Sequence, residues 1–306
     1  MPIFKQHLRS LHRWGYWGQR QLDRLFRQAW ARHLMRFGHG AKGFLYGMIG
    51  LFAIRSVLHD GQAAGGSDIV LRALEDRAIG GLLLLVLSVG LISYSLWRFV
   101  QLLLDPEHSP NSVTVHQVLQ RCGYGFSGLT YLGIGYTAGR LAIGLTVDFE
   151  DTIEELAEFF YETSVGPWAF LASGAGVILI GCVYIYGAYS GDFISEFRPR
   201  LYKEVKQLTV IVGKIGFTAR GVSFILTGAY LMKSAYFLND DTAGGLGSVL
   251  DRLDDQRFGK IWLTAIALGL LAYAAYMVMA AFYRKFPTSP HLQPLPDRAT
   301  RRDRSR

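Results

Sequence analysis

Charge is scarce in this sequence, cysteine is nearly missing, and its apolar stretches hold no deep carboxylate. Of 306 residues, 18% are charged and 50% hydrophobic. That is too apolar for an ordinary soluble domain and too charged for a chain that is membrane throughout. Cys122 and Cys182 are the only cysteines, too few and too far apart for a disulfide framework or a cysteine metal site; they read as small apolar packing residues. The eight histidines fall in termini, connections or the ends of apolar stretches, so no inward haem or di-metal set can be assembled. His39 and His59 read as interfacial. No phosphate-binding loop, Cys/His cluster or serine triad with local motif support occurs. The expectation is a protein without metal, cofactor or catalytic residues. The lack of Asp or Glu deep in any apolar stretch also disfavours a proton- or sodium-coupled carrier, which needs an ionisable group or broken helices at mid-membrane.

What the sequence does have is repetition. RFGHGAKGFLYGMIGLFAIR at 36–55 returns as RCGYGFSGLTYLGIGYTAGR at 121–140 and as KIGFTARGVSFILTGAYLMK at 214–233. The three align without gaps on Gly38/Gly123/Gly216, Gly43/Gly128/Gly221, Tyr46/Tyr131/Phe224 and Gly50/Gly135/Gly228, between basic end residues. A period of this kind defines a tandem-repeat architecture. The second half of each unit repeats too, through Gly90, Gly176 and Gly269 and through Tyr94 and Tyr273, where the middle unit has Ile180. The middle unit has diverged.

Six apolar stretches, at 39–58, 81–104, 124–145, 166–189, 217–238 and 259–283, are each long enough to cross a hydrocarbon core of about 30 Å. The expected fold is all-α and membrane-integral, with six transmembrane helices as three helical hairpins. The units are a basic amphipathic segment at 1–36, hairpins at 37–110, 111–195 and 196–286, and a basic tail at 287–306 that is expected to be disordered. The first segment has no continuous apolar core followed by a small-residue cleavage site, so no signal peptide is assigned. Connections on one side hold 21 basic and 8 acidic residues, and those on the other 4 and 16. By the excess of Lys and Arg, both termini are expected in the cytoplasm of a bacterial inner membrane. The acidic outer connections read as short amphipathic helices capped by Ser67, Thr152 and Ser248.

Three groups of residues stand out as site candidates. Arg55, Arg140 and Lys233 share a repeat position near the outer ends of their helices. They read either as snorkelling cations or as an anion or lipid-headgroup cluster brought together by pseudo-threefold packing. Lys42 and Arg220, with Ser127 between them in the middle unit, sit about one turn inside the inner end and read as contacts to inner-leaflet phosphates, or else as the lining of an inner vestibule. Gly43, Gly50, Gly128, Gly135, Gly221 and Gly228 read as helix-packing positions where backbones approach closely.

The entry G-x-x-x-[RK]-G (38–43 and 216–221), the aromatic three residues on, the later glycine and the closing segments GLISYSLWRFVQ and GLLAYAAYMVMA resemble a bacterial family of integral membrane proteins known as domain of unknown function 1206. The resemblance covers 36–286. It implies a six-helix membrane protein and brings no activity with it. The functional expectation is a non-catalytic scaffold or accessory protein binding anionic lipid of the inner leaflet or a membrane-protein partner, and not nucleic acid. The alternative is a passive pore or carrier for a small solute, anion or lipid along the pseudo-threefold axis.

Overall fold

A computed structural model of the chain describes residues 29–59, 64–104, 115–145, 166–194, 197, 202–237, 246–254 and 258–284. The amphipathic segment before residue 29, the middle outer connection with Thr152 and the basic tail lie outside the described residues.

The described residues form eight helices: α1 (Ala29–Leu58), α2 (Ser67–Glu75), α3 (Gly80–Leu104), α4 (Val115–Ala142), α5 (Gly166–Ser190), α6 (Lys203–Phe237), α7 (Leu246–Asp254) and α8 (Gly259–Tyr283). The chain is a multi-pass membrane protein, since five helices, α1, α3, α5, α6 and α8, are long and apolar enough to cross a membrane. Helix α4 has the length, at 28 residues, but its apolar run is diluted by Thr130, Thr137, six glycines and Arg140. The first long helix of each repeat is the longer one. α1, α4 and α6 run to 30, 28 and 35 residues, against 25 for each of α3, α5 and α8, because each starts well before its apolar stretch.

The two long helices of one repeat are not each other's dominant partners. The most extensive pairings join one repeat to another: α5 with α6, α3 with α4, and α8 with α1. Glycine explains why. A Cβ at Gly43 would lie 3.1 Å from the Ala274 carbonyl oxygen, and one at Gly50 would lie 3.0 Å from that of Ala267, so α1 lies almost backbone to backbone on α8. Gly221 and Gly228 meet the carbonyls of Gly181 and Gly174 on α5 in the same way, while Gly128 and Gly135 receive Phe99 and Ile92 of α3. Small residues at these places let dispersion contacts replace the hydrophobic drive that lipid cannot supply.

Within the first and third repeats a second glycine contact closes the pair. A Cβ at Gly38 would lie 2.7 Å from the Tyr94 nitrogen, and one at Gly216 would lie 2.5 Å from the Tyr273 Cα. In the middle repeat the equivalent Gly123 and Gly176 have nothing within 4 Å, and α4 scarcely touches α5. The long helices therefore follow one another around an arc, α4, α3, α1, α8, α6, α5, whose two ends barely touch.

The short helices α2 and α7 pack against the long helices and against each other. Val70, Leu71 and Leu74 of α2 and Val249, Leu250 and Leu253 of α7 are buried. The Asp251 carboxylate accepts from the backbone N–H of Ala64 (2.6 Å) and Gly65 (3.2 Å), tying the two outer segments together. Ser67 is the first residue of α2 and not its cap; the cap residue is Gly66, with no side-chain bond. Ser248 lies inside α7. The cysteines are exposed, not packed.

Candidate functional site

The polar interior is built from repeat-equivalent residues one helical turn apart. Lys42 precedes Tyr46 by four residues, Ser127 precedes Tyr131, and Arg220 precedes Phe224, so each pair shares a helix face. The close Gly38–Tyr94 and Gly216–Tyr273 contacts bring the tyrosines of α3 and α8 to the same level. Tyr94, Tyr131 and Tyr273 are each at most 1% exposed, Lys42 is 0% and Arg220 3% exposed.

Two hydrogen-bonded groups face one another there. In the first, the Tyr94 hydroxyl accepts from Lys42 Nζ (2.7 Å) and from Arg98 Nε (2.6 Å), and Arg98 also donates to Gln101 Oε1 (2.8 Å). In the second, Tyr131 donates to the Tyr46 hydroxyl (2.8 Å) and accepts from Arg220 (2.8 Å). Edge-to-face ring contacts join them, Tyr94 to Tyr131 at 5.0 Å and Tyr46 to Tyr273 at 5.1 Å. Lys42 Nζ stands 4.3 Å from the Tyr94 ring centre and 4.5 Å from that of Tyr131. The Arg220 guanidinium lies within 6 Å of Tyr46, Tyr131, Tyr184, Phe224 and Tyr273. Desolvated cation–π contacts contribute about 2 kcal/mol each, comparable with the roughly 3 kcal/mol cost of a cation at mid-membrane.

Among the described residues no carboxylate takes part. The partners of Lys42, Arg98 and Arg220 among the described residues are tyrosines, a phenylalanine and Gln101, and the six long helices carry one acidic residue, Glu204 at the start of α6. Arg220 Nε and Ser127 Oγ are among the buried polar atoms that have no hydrogen-bond partner among the described residues. Arg284 (3% exposed) lies 3.3 Å from the ring nitrogen Nε2 of His39, whose Nδ1 meets the Met35 carbonyl. An interior rich in positive charge and poor in negative charge is suited to receiving an anion.

The sequence candidates fall in different places. Lys42 and Arg220, read as contacts to inner-leaflet phosphates or as the lining of an inner vestibule, are buried inside the bundle. Helix α1 begins at Ala29 and α6 at Lys203, which sets these residues about 20 and 26 Å from their helix starts. His39, read as interfacial, is fully buried, whereas His59 is exposed. Arg55 and Lys233 are exposed, and Arg140 is half-buried with its guanidinium 5.9 Å over Tyr136 of its own helix. Arg98, Gln101, Arg284 and the tyrosine hydroxyls were not singled out by the sequence. Their signal was a cation and an aromatic four residues apart, recurring at Lys42/Tyr46, Arg220/Phe224 and Tyr94/Arg98.

A cleft of about 580 Å³ opens where α4 and α5 barely touch. Its walls include Phe126, Thr130 and Ile134 of α4, Gly176 and Ile180 of α5, and Arg220 and Leu231 of α6. Among the described residues no group of three His, Cys, Asp or Glu could hold a metal ion.

An uncharacterized protein of Bacillus subtilis (strain 168), YxxB, is 28% identical over 256 residues, covering 83% of this chain and 92% of its own length. No solved structure matches the chain. Residues 37–102, 122–191 and 215–284, together more than half of the sequence, match the model of the family described as Domain of Unknown Function (DUF1206), and the chain belongs to that family.

Proposed function

We propose that this protein is a non-catalytic binding protein of the bacterial cytoplasmic membrane whose partner is anionic membrane lipid. In this reading all six long helices cross the bilayer, both termini are cytoplasmic, and α4 crosses as α1 and α6 do. Its 28 residues span about 42 Å against a hydrocarbon core of about 30 Å. The observation that carries the function is the cluster of Lys42, Arg98 and Arg220, held among tyrosines with no carboxylate among the described residues to neutralise it. Buried cations are normally paired, and an anionic headgroup is the counter-charge a membrane offers in abundance. Arg55, Arg140 and Lys233 serve in this reading as outer interfacial anchors.

A permanently open pore on the pseudo-threefold axis fits less well. Tyr46, Tyr94, Tyr131 and Tyr273 fill the interior, Tyr46 on Tyr273 and Tyr94 on Tyr131 in ring-to-ring contact. The test is native mass spectrometry of the full chain released from nanodiscs containing equal phosphatidylglycerol and phosphatidylcholine. The expected result is selective retention of the anionic lipid, reduced at least tenfold in the double variant Lys42→Met/Arg98→Met. Equal retention of both lipids would refute the proposal, and anion flux through liposomes bearing the protein would restore the pore.

A further inference from the structure

We infer that the cleft between α4 and α5 is a side-entry site for one acyl chain of an anionic amphiphile, with its phosphate or carboxylate on Arg220. This rests on the lipid-binding reading above and specifies its place and occupant.

The cleft exists because the middle repeat has lost the residues that close the other two. Where the first and third repeats place Tyr94 and Tyr273 against a glycine of the preceding helix, the middle repeat has Ile180, and neither Gly123 nor Gly176 touches a neighbour. Ile180 and Gly176 both line the cleft. The missing tyrosine leaves the Arg220 side of the interior open, because Arg220 lines the same cleft.

Three properties select the occupant. The volume, about 580 Å³, falls in the usual range of small-molecule sites, about 300–1,000 Å³. The wall is mostly apolar, through Phe126, Ile134, Val177, Ile180, Leu231 and Leu270. On α6 it runs from Arg220 to Leu231, about 16 Å at 1.5 Å per residue, which is about half of a 30 Å hydrocarbon core and so the depth of one leaflet's chains. Among the described residues Arg220 is the single charged one lining it; the side chain is 3% exposed and its Nε has no hydrogen-bond partner there. Ser223 and Thr227 place hydroxyls on the same face, each donating to its own helix and keeping acceptor capacity. Apolar length ending in one under-bonded cation matches a chain ending in one anion. The rims on both helices, at Cys122, Thr130, Ser173 and Gly176, are exposed, so a chain can enter sideways from the bilayer.

Two variants block the cleft from opposite walls, Gly176→Phe and Thr130→Phe. A side chain at Gly176 meets no atom within 4 Å of its Cβ, and Thr130 is exposed, so neither replacement overpacks the bundle. The full chain in phosphatidylcholine nanodiscs is titrated with palmitate, palmitoyl lysophosphatidate, palmitoyl lysophosphatidylcholine and dipalmitoyl phosphatidylglycerol, and bound copies are counted by native mass spectrometry. The expected result is one anionic copy per chain, at least tenfold weaker in each blocking variant. Arg220→Gln is expected to bind anionic and zwitterionic single-chain probes alike. Preference for palmitate, lysophosphatidate or phosphatidylglycerol identifies the carboxylate, the lysolipid or the diacyl lipid as the source of the anion. Wild-type binding in both blocking variants overturns the cleft while leaving the lipid reading intact, and no anionic copy on the wild-type protein overturns both.

Discussion

Glycine replaced by alanine at three equivalent positions separates the closed repeats from the open one. At Gly216 the new Cβ would lie 2.5 Å from the Tyr273 Cα and 2.6 Å from its nitrogen; at Gly38 it would lie 2.7 Å from the Tyr94 nitrogen; at Gly123 nothing lies within 4 Å. The obstructing atoms are backbone, so relief requires a helix to shift, and overpacking of that kind costs about 1–3 kcal/mol. Alanine also gains about 0.8–1.0 kcal/mol of helix propensity over glycine. That gain is common to all three sites. The difference between Gly216→Ala and Gly123→Ala therefore isolates the clash, at about 1–3 kcal/mol. Reversible unfolding in mixed dodecyl sulfate micelles, followed by helical circular dichroism, measures it. Gly123→Ala is expected to be neutral or stabilising, with Gly38→Ala and Gly216→Ala both destabilised relative to it. Equal stability of Gly216→Ala and Gly123→Ala would refute the open middle repeat.

Removing the Tyr131 hydroxyl (Tyr131→Phe) takes one bond from Tyr46 and one from Arg220. A cost of about 1–3 kcal/mol is expected, with non-additivity against Tyr46→Phe of at least about 0.5 kcal/mol in a double-mutant cycle. Asp251→Ala should free the Ala64 and Gly65 amides, read as faster hydrogen exchange there and unchanged exchange in α5. Cys122 lines the cleft and Cys182 does not, so palmitate should slow maleimide labelling of Cys122 and leave Cys182 unaffected; equal slowing would argue against an occupant in the cleft.

The architecture was legible because membrane helices announce themselves by length and apolarity, and because three gapless repeats fix which residues are equivalent. The interior was not. Lys42 and Arg220 were placed by distance from the end of an apolar stretch, a rule that takes lipid to be the only environment available to a cation. Tyr94, Tyr131 and Tyr273 supply another. The pairing between repeats was hidden for a related reason. Gly43 and Gly50 mark a close approach, but a glycine does not specify which helix approaches, and α1 meets α8 from the far end of the chain. The divergence of the middle repeat was visible at Ser127 and Ile180. Its consequence, an opening, needed the absence of neighbours at Gly123 and Gly176.

An arc of six helices with one gap behaves mechanically as a clip. Its back is the contact of α1 with α8, where Gly43 and Gly50 bring two backbones nearly together, as Gly221 and Gly228 do for α6 and α5. Its jaws are α4 and α5, each held along one flank only. Lateral pressure from the surrounding lipid falls on the jaws, and the back is where any change in their separation is resisted. A substitution at Gly43 or Gly50 would thus alter the grip of a cleft it does not line.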